Sequence, residues 1–437
     1  MPGTRTPARI LVVGGGYVGY HAARRLEGRM RTGEATVTLV NPDNFLTYRP
    51  LLPEVAAGSL EPRHAVVPLR DALPRTRFVA GRLTGLSPAH RTATVHTYAG
   101  SERGLSYDHL VLAPGGMTKT MPVPGLADQA IGFTTLTEAI ALRNHLLSRF
   151  ETAEELEGPA RRRVLTFVFV GGGYTGVEAL AELQDMARDV LRGYPGIRPA
   201  ELRFVLVEAT GRLLPSLPDE LADAALHQLR ERGIDVRLET TVDDARRGTL
   251  RLSDGTVVDT DTLVWVAGVA PQRVVSDLGL PTDDSGRLPV DACLRVPGHP
   301  RIWAAGDCAA VPDLNAGGTC PATAQYAVRE GRRLGDNLVL AIRGRPPRPF
   351  RYSSKGEFVT LGMRRAVGEV WGRPVSGLGA WLLRRGYYAA QIPTVNRKAR
   401  VLLDWTVRLP FGHDVVDLAS QREPHAPLRH AAGASAS

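Results

Sequence analysis

The chain has 437 residues, 43% of them hydrophobic and 23% charged, which predicts a soluble globular protein of two or three domains with ample core. It shows no apolar run of signal-peptide length and no stretch of the roughly 20 apolar residues that span a bilayer. Cys293, Cys308 and Cys320 have neither metal-site nor redox-pair spacing, so the expectation is no bound metal and a reducing place, the cytoplasm or the cytoplasmic face of a membrane. The net charge of +9 is uneven, because residues 341 to 408 hold fourteen Arg or Lys against three acids. A basic C-terminal region on a nearly neutral body calls for nucleic acid, acidic lipid or an acidic partner.

In chain order, the first element is a β-branched run, Ile10 to Val13, that predicts a buried parallel strand, followed by "GGGYVG" and a helical pattern. The same device recurs near residue 170. Aligning Ile10 with Phe167 matches Val13 with Val170, three glycines with three glycines, Tyr17 with Tyr174, Gly19 with Gly176, Ala22 with Ala179 and Leu26 with Leu183. In such a loop the first glycine permits the tight turn, the second lets a pyrophosphate approach the backbone, and the third lets helix and strand pack closely. The phosphates then rest on unpaired N–H groups at the helix start. One match is weak evidence, but two, each with a strand before and a helix after, predict two dinucleotide-binding folds.

Each fold needs an acceptor at the end of its second strand for the ribose hydroxyls. "LRFVLVE" delivers Glu208, a carboxylate that favours NADH and repels the extra phosphate of NADPH, although Arg212 nearby keeps NADP open. The first copy places Asn41 there, whose amide oxygen accepts less strongly. Further on, "PRIWAAGDCAAVPD" predicts a strand ending at Asp307, and a helix initiated near Pro321. An N-cap or turn aspartate is the alternative reading of Asp307.

Residues 346 to 375 alternate like strands and predict a small sheet. Beyond them, "GLGAWLLRRGYYAAQ" sets Trp381, Leu382 and Leu383 beside Arg384, Arg385, Tyr387 and Tyr388. In "RKARVLLDWTVRL", Arg397, Arg400, Asp404 and Arg408 fall on one helical face and Val401, Leu402, Trp405 and Leu409 on another. This mixture suits the headgroup zone of an anionic membrane, lying on it without spanning it. Packing on its own domain, or on a second copy in a homodimer, is the alternative. Nucleic acid is not expected, since no base-reading module accompanies the charge. The tail after about residue 420 is rich in Ala, Ser and Pro and predicts disorder.

"GGGYVG", "LVLAPGG" (110 to 116), "GGGYTGVE", "VWVAGV" and "WAAGDCA" (303 to 309) together resemble the two-dinucleotide-domain flavoprotein oxidoreductases. "FLTYRPLLPEVAAG" (45 to 58), "PATAQYAVREG" (321 to 331) and the segment 381 to 405 make the chain most similar, over about residues 9 to 415, to the type II, non-proton-pumping NADH:quinone dehydrogenases. The resemblance implies an α/β fold with two Rossmann-like domains, for FAD and NADH, and a small C-terminal membrane-associating region. Residues 1–120 and 286–340 would form the FAD domain, 121–285 the NADH domain, 341–420 the membrane region and 421–437 a disordered tail.

On the same ground, Gly14, Gly15, Gly16 and Gly19 would hold the FAD pyrophosphate and Asn41 the adenosine ribose. Ala113 and Gly115 would pass beside the flavin, Asp307 would accept from the ribityl chain, and the helix containing Ala324 would aim its start at the pyrimidine edge. The sheet at 346 to 375 would lie against the flavin. Gly171, Gly173, Gly176 and Glu208 would bind NADH, with Ala267 and Gly268 at the nicotinamide end. Glu178, on the first turn of its helix, would position nicotinamide or relay protons; favourable placement in the helix dipole is the alternative. Gln325, Tyr326 and Arg329 would border quinone with Pro50, Leu51 and Leu52, for which plain core packing is the alternative. A sulfide:quinone oxidoreductase needs a reactive cysteine pair, and no cysteine precedes Cys293. A non-enzymatic flavin sensor that holds NADH without turnover stays open.

Overall fold

The computed structural model describes residues 6–354 and 356–417, so the tail after residue 420 lies outside the described residues. The first sheet has five parallel strands in the order Ile302–Ala304, His109–Leu112, Ala8–Val13, Ala35–Asn41 and Arg77–Ser87. Thr92–Thr97 and Glu102–Ser106 extend it antiparallel. Ile10 to Val13 are buried, as a strand covered on both faces requires. From this strand the chain turns into helix α1 (Tyr17–Arg29), and a later short helix, α2 (Leu52–Ala56), is buried throughout.

The second sheet is wholly parallel, in the order Ala130–Gly132, Thr262–Trp265, Thr166–Val170, Arg203–Val207 and Asp235–Arg237. Its central strand leads into α3 (Tyr174–Val190). The two halves meet where Gly116–Thr118 pairs antiparallel with Val269–Pro271. A Cβ on Gly116 would stand 2.3 Å from Val269 Cγ1, so only glycine lets these strands touch.

After the strand Ile302–Ala304 the chain returns to the first half through α4 (Ala324–Ile342). This helix begins three residues later than the predicted start at Pro321, because Thr323 is its N-cap and accepts from the Tyr326 N–H at 3.5 Å. Two glycines bring α4 onto α1: a Cβ on Gly331 would lie 2.5 Å from the Val18 carbonyl, and one on Gly335 2.7 Å from Arg25 Cβ.

The C-terminal region is a three-stranded antiparallel sheet, Gly356–Thr360, Ala366–Val370 and Arg373–Ser376, followed by α5 (Gly377–Gln391) and α6 (Val395–Phe411). The sheet lies on α3, where the Thr360 N–H reaches Glu178. The helices are turned only partly as expected: Arg400 is exposed and Arg397 half-buried, but the other arginines point inward. Arg384, Arg385 and Arg408 are buried with Trp381, Val401 and Trp405, whereas Leu378, Leu382, Leu383, Leu402, Leu403, Val407, Leu409 and Phe411 are exposed. These three arginines cannot meet lipid headgroups from there. Their charges are matched inside by Glu54, Glu178 and Glu182, partners that the local pattern of residues does not reveal.

Candidate functional site

Both glycine loops have the same geometry. The first glycine is left-handed in each, with φ of 101° at Gly14 and 118° at Gly171. A Cβ would lie 1.9 Å from the Ala113 carbonyl oxygen at Gly14 and 2.7 Å from that of Val266 at Gly171. At the third glycines, Gly19 and Gly176, it would stand 1.8 and 1.9 Å from the carbonyls of Gly14 and Gly171. These four positions are glycine because the fold demands it.

Gly16 and Gly173 differ. Their φ values of −70° and −75° suit any residue, and a Cβ there would meet nothing within 4 Å. Both stand at helix N-caps, where the first N–H groups have no partner within the helix. A glycine that the protein does not need, beside free donors at a helix start, fits a phosphate group that takes the place of the side chain. The residues present therefore suit one dinucleotide in each half.

The strand-end acceptors are also equivalent. Asn41 Oδ1 accepts from the Gly15 N–H at 2.8 Å, and Glu208 Oε2 from the Gly172 N–H at 2.6 Å. Asn41 also donates to the Asp43 carbonyl at 2.7 Å, which sets its amide orientation. Glu208 Oε1 accepts from the N–H and hydroxyl of Thr210, each at 2.8 Å. Arg212 is engaged elsewhere, bound to Asp219 and to the Leu217 carbonyl at 2.7 Å. Glu208→Ala is expected to raise the KM for NADH about 10- to 100-fold, the worth of a charge-assisted bond, and to narrow the preference over NADPH; steady-state kinetics with both nucleotides check this.

Near the first loop, Ala113 is buried and Gly115 has a φ of 80°. Asp307 accepts from Arg49 at 3.4 Å; burial raises its proton affinity and Arg49 counters it. Behind it, Glu330 holds the Gly306 N–H at 2.7 Å, and burial lifts its carboxyl to about 7. Arg49 and Glu330 were not picked out from sequence, although both flank residues that were. In the second half, Ala267 and Gly268 follow the strand Thr262–Trp265, with a φ of 96° at Gly268.

At the start of α4, Gln325 accepts from the Tyr352 hydroxyl at 3.0 Å and donates to the Gly356 carbonyl at 3.2 Å. Tyr326 meets the Tyr352 ring edge-on at 5.0 Å, and Arg329 stacks over the same ring at 4.4 Å. Ala324 is the first helical residue. Leu51 and Leu52 are fully buried in the core shared with α3, so their side chains are committed to packing. Pro50 is half-buried, and its carbonyl accepts from Arg384 at 3.3 Å.

Glu178 is the fifth residue of α3, a turn deeper than expected, and the dipole of the first turn does not account for it. Its Oε1 accepts from Arg384 Nε and the Thr360 N–H, both at 2.9 Å. Arg384 continues to Glu54 Oε1 at 3.5 Å, and the Trp405 indole N–H donates to the other Glu54 oxygen. Arg385 stacks over Trp381 and Trp405 at 4.0 and 4.6 Å. Glu182, one turn further along α3, faces Arg408 at 3.8 Å, and burial lifts its carboxyl to about 7. Burial likewise raises the proton affinity of Glu178, countered by Arg384 and Thr360. A guanidinium does not release its proton, so Glu178 is the member of the pair that titrates.

The sequence and the fold agree with known proteins. The family model for pyridine nucleotide-disulphide oxidoreductases matches residues 8–331. A type II NADH:quinone oxidoreductase of Mycobacterium tuberculosis is 30% identical over 415 residues, covering 91% of this chain and 87% of that protein. One from Haemophilus influenzae is 31% identical over 386 residues, covering 83% and 86%. The structure of NDH2 from Plasmodium falciparum in complex with NADH shares the fold with a TM-score of 0.88 at 19% identity, covering 94% of this chain and all of that one. The chain belongs to the pyridine nucleotide-disulphide oxidoreductase family and, within it, to the type II NADH:quinone oxidoreductases.

Proposed function

We propose that the protein oxidises NADH and reduces a membrane quinone without pumping protons, with FAD in the first fold and NADH in the second. The observation that carries this reading is the pair of open glycine positions, Gly16 and Gly173, each beside a strand-end acceptor that already holds the neighbouring N–H. Bound FAD supplies the redox chemistry, accepting a hydride and passing on two electrons.

The chain's own residues seat and orient the reactants. Gly14, Gly15, Gly16 and Gly19 offer the FAD pyrophosphate a backbone seat, with Asn41 at the ribose and Ala113, Gly115 and Asp307 along the flavin. The start of α4, at Ala324, turns free N–H groups toward the pyrimidine edge, where a helix dipole favours negative charge. Gly171, Gly173, Gly176 and Glu208 hold NADH, and Ala267 and Gly268 line its nicotinamide end. Gln325, Tyr326, Arg329 and Pro50 border the quinone. Glu178, oriented by Arg384, positions the nicotinamide and holds an exchangeable proton beside it. In this reading residues 1–120 and 286–340 bind FAD, and 121–285 bind NADH.

Residues 341–420 attach the protein to the membrane by leucines rather than by Arg384, Arg385 and Arg408. Among the described residues no helix is long and apolar enough to cross a membrane, while Leu382 and Leu383 of α5 and Leu402 and Leu403 of α6 are exposed and offer it apolar surface. Three free thiols support a position on the reducing, cytoplasmic side. Leu382→Ser with Leu403→Ser is expected to weaken vesicle co-sedimentation by about tenfold or more per residue, from the apolar area each withdraws, and to leave NADH oxidation by a water-soluble quinone unchanged. The central test is optical. Anaerobic NADH should bleach the yellow protein and menaquinone should restore its colour; a colourless protein would end the reading.

A further inference from the structure

Where α1 and α4 cross lies a group of positive side chains of which the proposed reaction uses only Arg329, at the quinone. The close approach at Gly331, where a Cβ would stand 3.1 Å from His21 Cβ, sets the segment of α4 that holds Arg329 and Arg332 against the segment of α1 that holds His21 and Arg24. Burial, with the charges of Arg332, Arg24 and Arg329, pushes the His21 imidazole down to about 3. The carboxylates on the two helices are engaged elsewhere. Asp336 accepts from Arg25 at 2.7 and 3.0 Å, Glu27 accepts from the Arg75 N–H and the Thr76 hydroxyl at 2.9 and 2.8 Å, and Glu330 holds the Gly306 N–H. Among the described residues, Arg24, Arg329 and Arg332 form no ion pair: Arg24 donates to the Tyr20 hydroxyl at 3.2 Å and Arg329 to the Gln325 carbonyl at 3.0 Å. Arg24 and Arg332 are exposed, and α5, the helix that presents Leu382 and Leu383, is joined to α1 through Tyr48, whose ring meets Tyr17 of α1 at 6.1 Å and Tyr388 of α5 at 6.3 Å.

We propose that Arg24 and Arg332, gathered with the quinone-bordering Arg329 around His21, bind the phosphate headgroups of an anionic bilayer at the edge of the apolar face. The proposal rests on the reading that α5 and α6 lie on the membrane. Three guanidiniums without carboxylates repel one another, and phosphate oxygens relieve that repulsion with charge-assisted, fork-shaped hydrogen bonds. A lipid fits better than free phosphate, because the adjoining leucine face gives acyl chains a surface and gives a soluble anion none.

The test uses the full-length, FAD-loaded protein and two vesicle compositions, phosphatidylcholine alone and phosphatidylcholine with phosphatidylglycerol, at 0.15 M salt. Arg24→Gln with Arg332→Gln should leave binding to the neutral vesicles unchanged and reduce the gain on anionic vesicles about 25-fold, about fivefold per charge. Arg24→Lys with Arg332→Lys should keep most of that gain. Arg82→Gln with Arg103→Gln, which removes two exposed charges from the first sheet, should keep all of it. Equal loss in the Arg82 and Arg103 variant would assign the effect to net charge and overturn the proposal, as would an undiminished gain in the Arg24 and Arg332 variant. Release of the wild type by inorganic phosphate at constant ionic strength would make this a free-phosphate site instead. Failure to bind either vesicle would refute the attachment reading itself, whereas binding without an arginine-dependent gain refutes only the cluster.

Discussion

Arg384→Ala is expected to lower the unfolding free energy by about 3 to 5 kcal/mol, the cost of taking one partner out of a buried ion pair. The substitution leaves the buried carboxylates Glu178 and Glu54 without the cation between them. It also removes the donor to the Pro50 carbonyl and the guanidinium that stacks over Tyr388 at 4.8 Å. Urea unfolding followed by tryptophan fluorescence reads the effect, because Trp405 donates to Glu54 and reports on the same cluster. An arginine facing solvent or headgroups changes stability by less than about 0.5 kcal/mol, so a small effect would return Arg384 to the surface. The variant should also lose attachment, since α5 carries both Arg384 on its buried side and Leu382 and Leu383 on its exposed side.

This cluster marks the boundary of what could be read from the chain. The glycine loops were legible because their requirements are local: a strand, a turn that only glycine can make, and a helix within about fifteen residues. Of the C-terminal helices, α6 was legible as a helix, but its orientation was not. In α6 the stripe Val401, Trp405 and Arg408 faces inward, while Leu402 and Leu409, expected on the same face as Val401 and Trp405, point out. A charge neutralised in a core and a charge in water look alike in sequence, and the difference lies with partners such as Glu54, 330 positions before Arg384. A signal did exist on α3. Glu178, Glu182, Asp185 and Asp189 recur at spacings of four, three and four, a single helical stripe. The first three each meet a cation, Arg384, Arg408 and, at 2.7 Å, Arg232, and Asp189 meets the His413 imidazole at 2.6 Å. A run of carboxylates along one face of a helix asks for matching cations, and two of the three, Arg384 and Arg408, lie in the basic C-terminal region.

The open glycines support the other large effect, a loss of cofactor without a loss of fold. Gly16→Ala is expected to fold normally and come out colourless. Gly173→Ala should fold, keep its yellow flavin, and raise the KM for NADH at least about 10- to 100-fold, the cost of displacing charge-assisted bonds to the phosphates. Since both positions have ordinary backbone angles and room for a Cβ, alanine should even stabilise the flavin-free protein by about 0.4 to 1 kcal/mol by restricting the unfolded chain. The neighbouring glycines supply the contrast. Gly14→Ala and Gly19→Ala put a methyl group 1.9 and 1.8 Å from a backbone carbonyl oxygen, so these chains should fail to fold rather than merely lose FAD. Thermal unfolding beside the flavin absorbance separates the two kinds of loss: colour gone with stability kept at Gly16, both gone at Gly14. A Gly16→Ala protein that binds FAD as tightly as the wild type would show that no phosphate rests there, and with it the assignment of the first loop would fall.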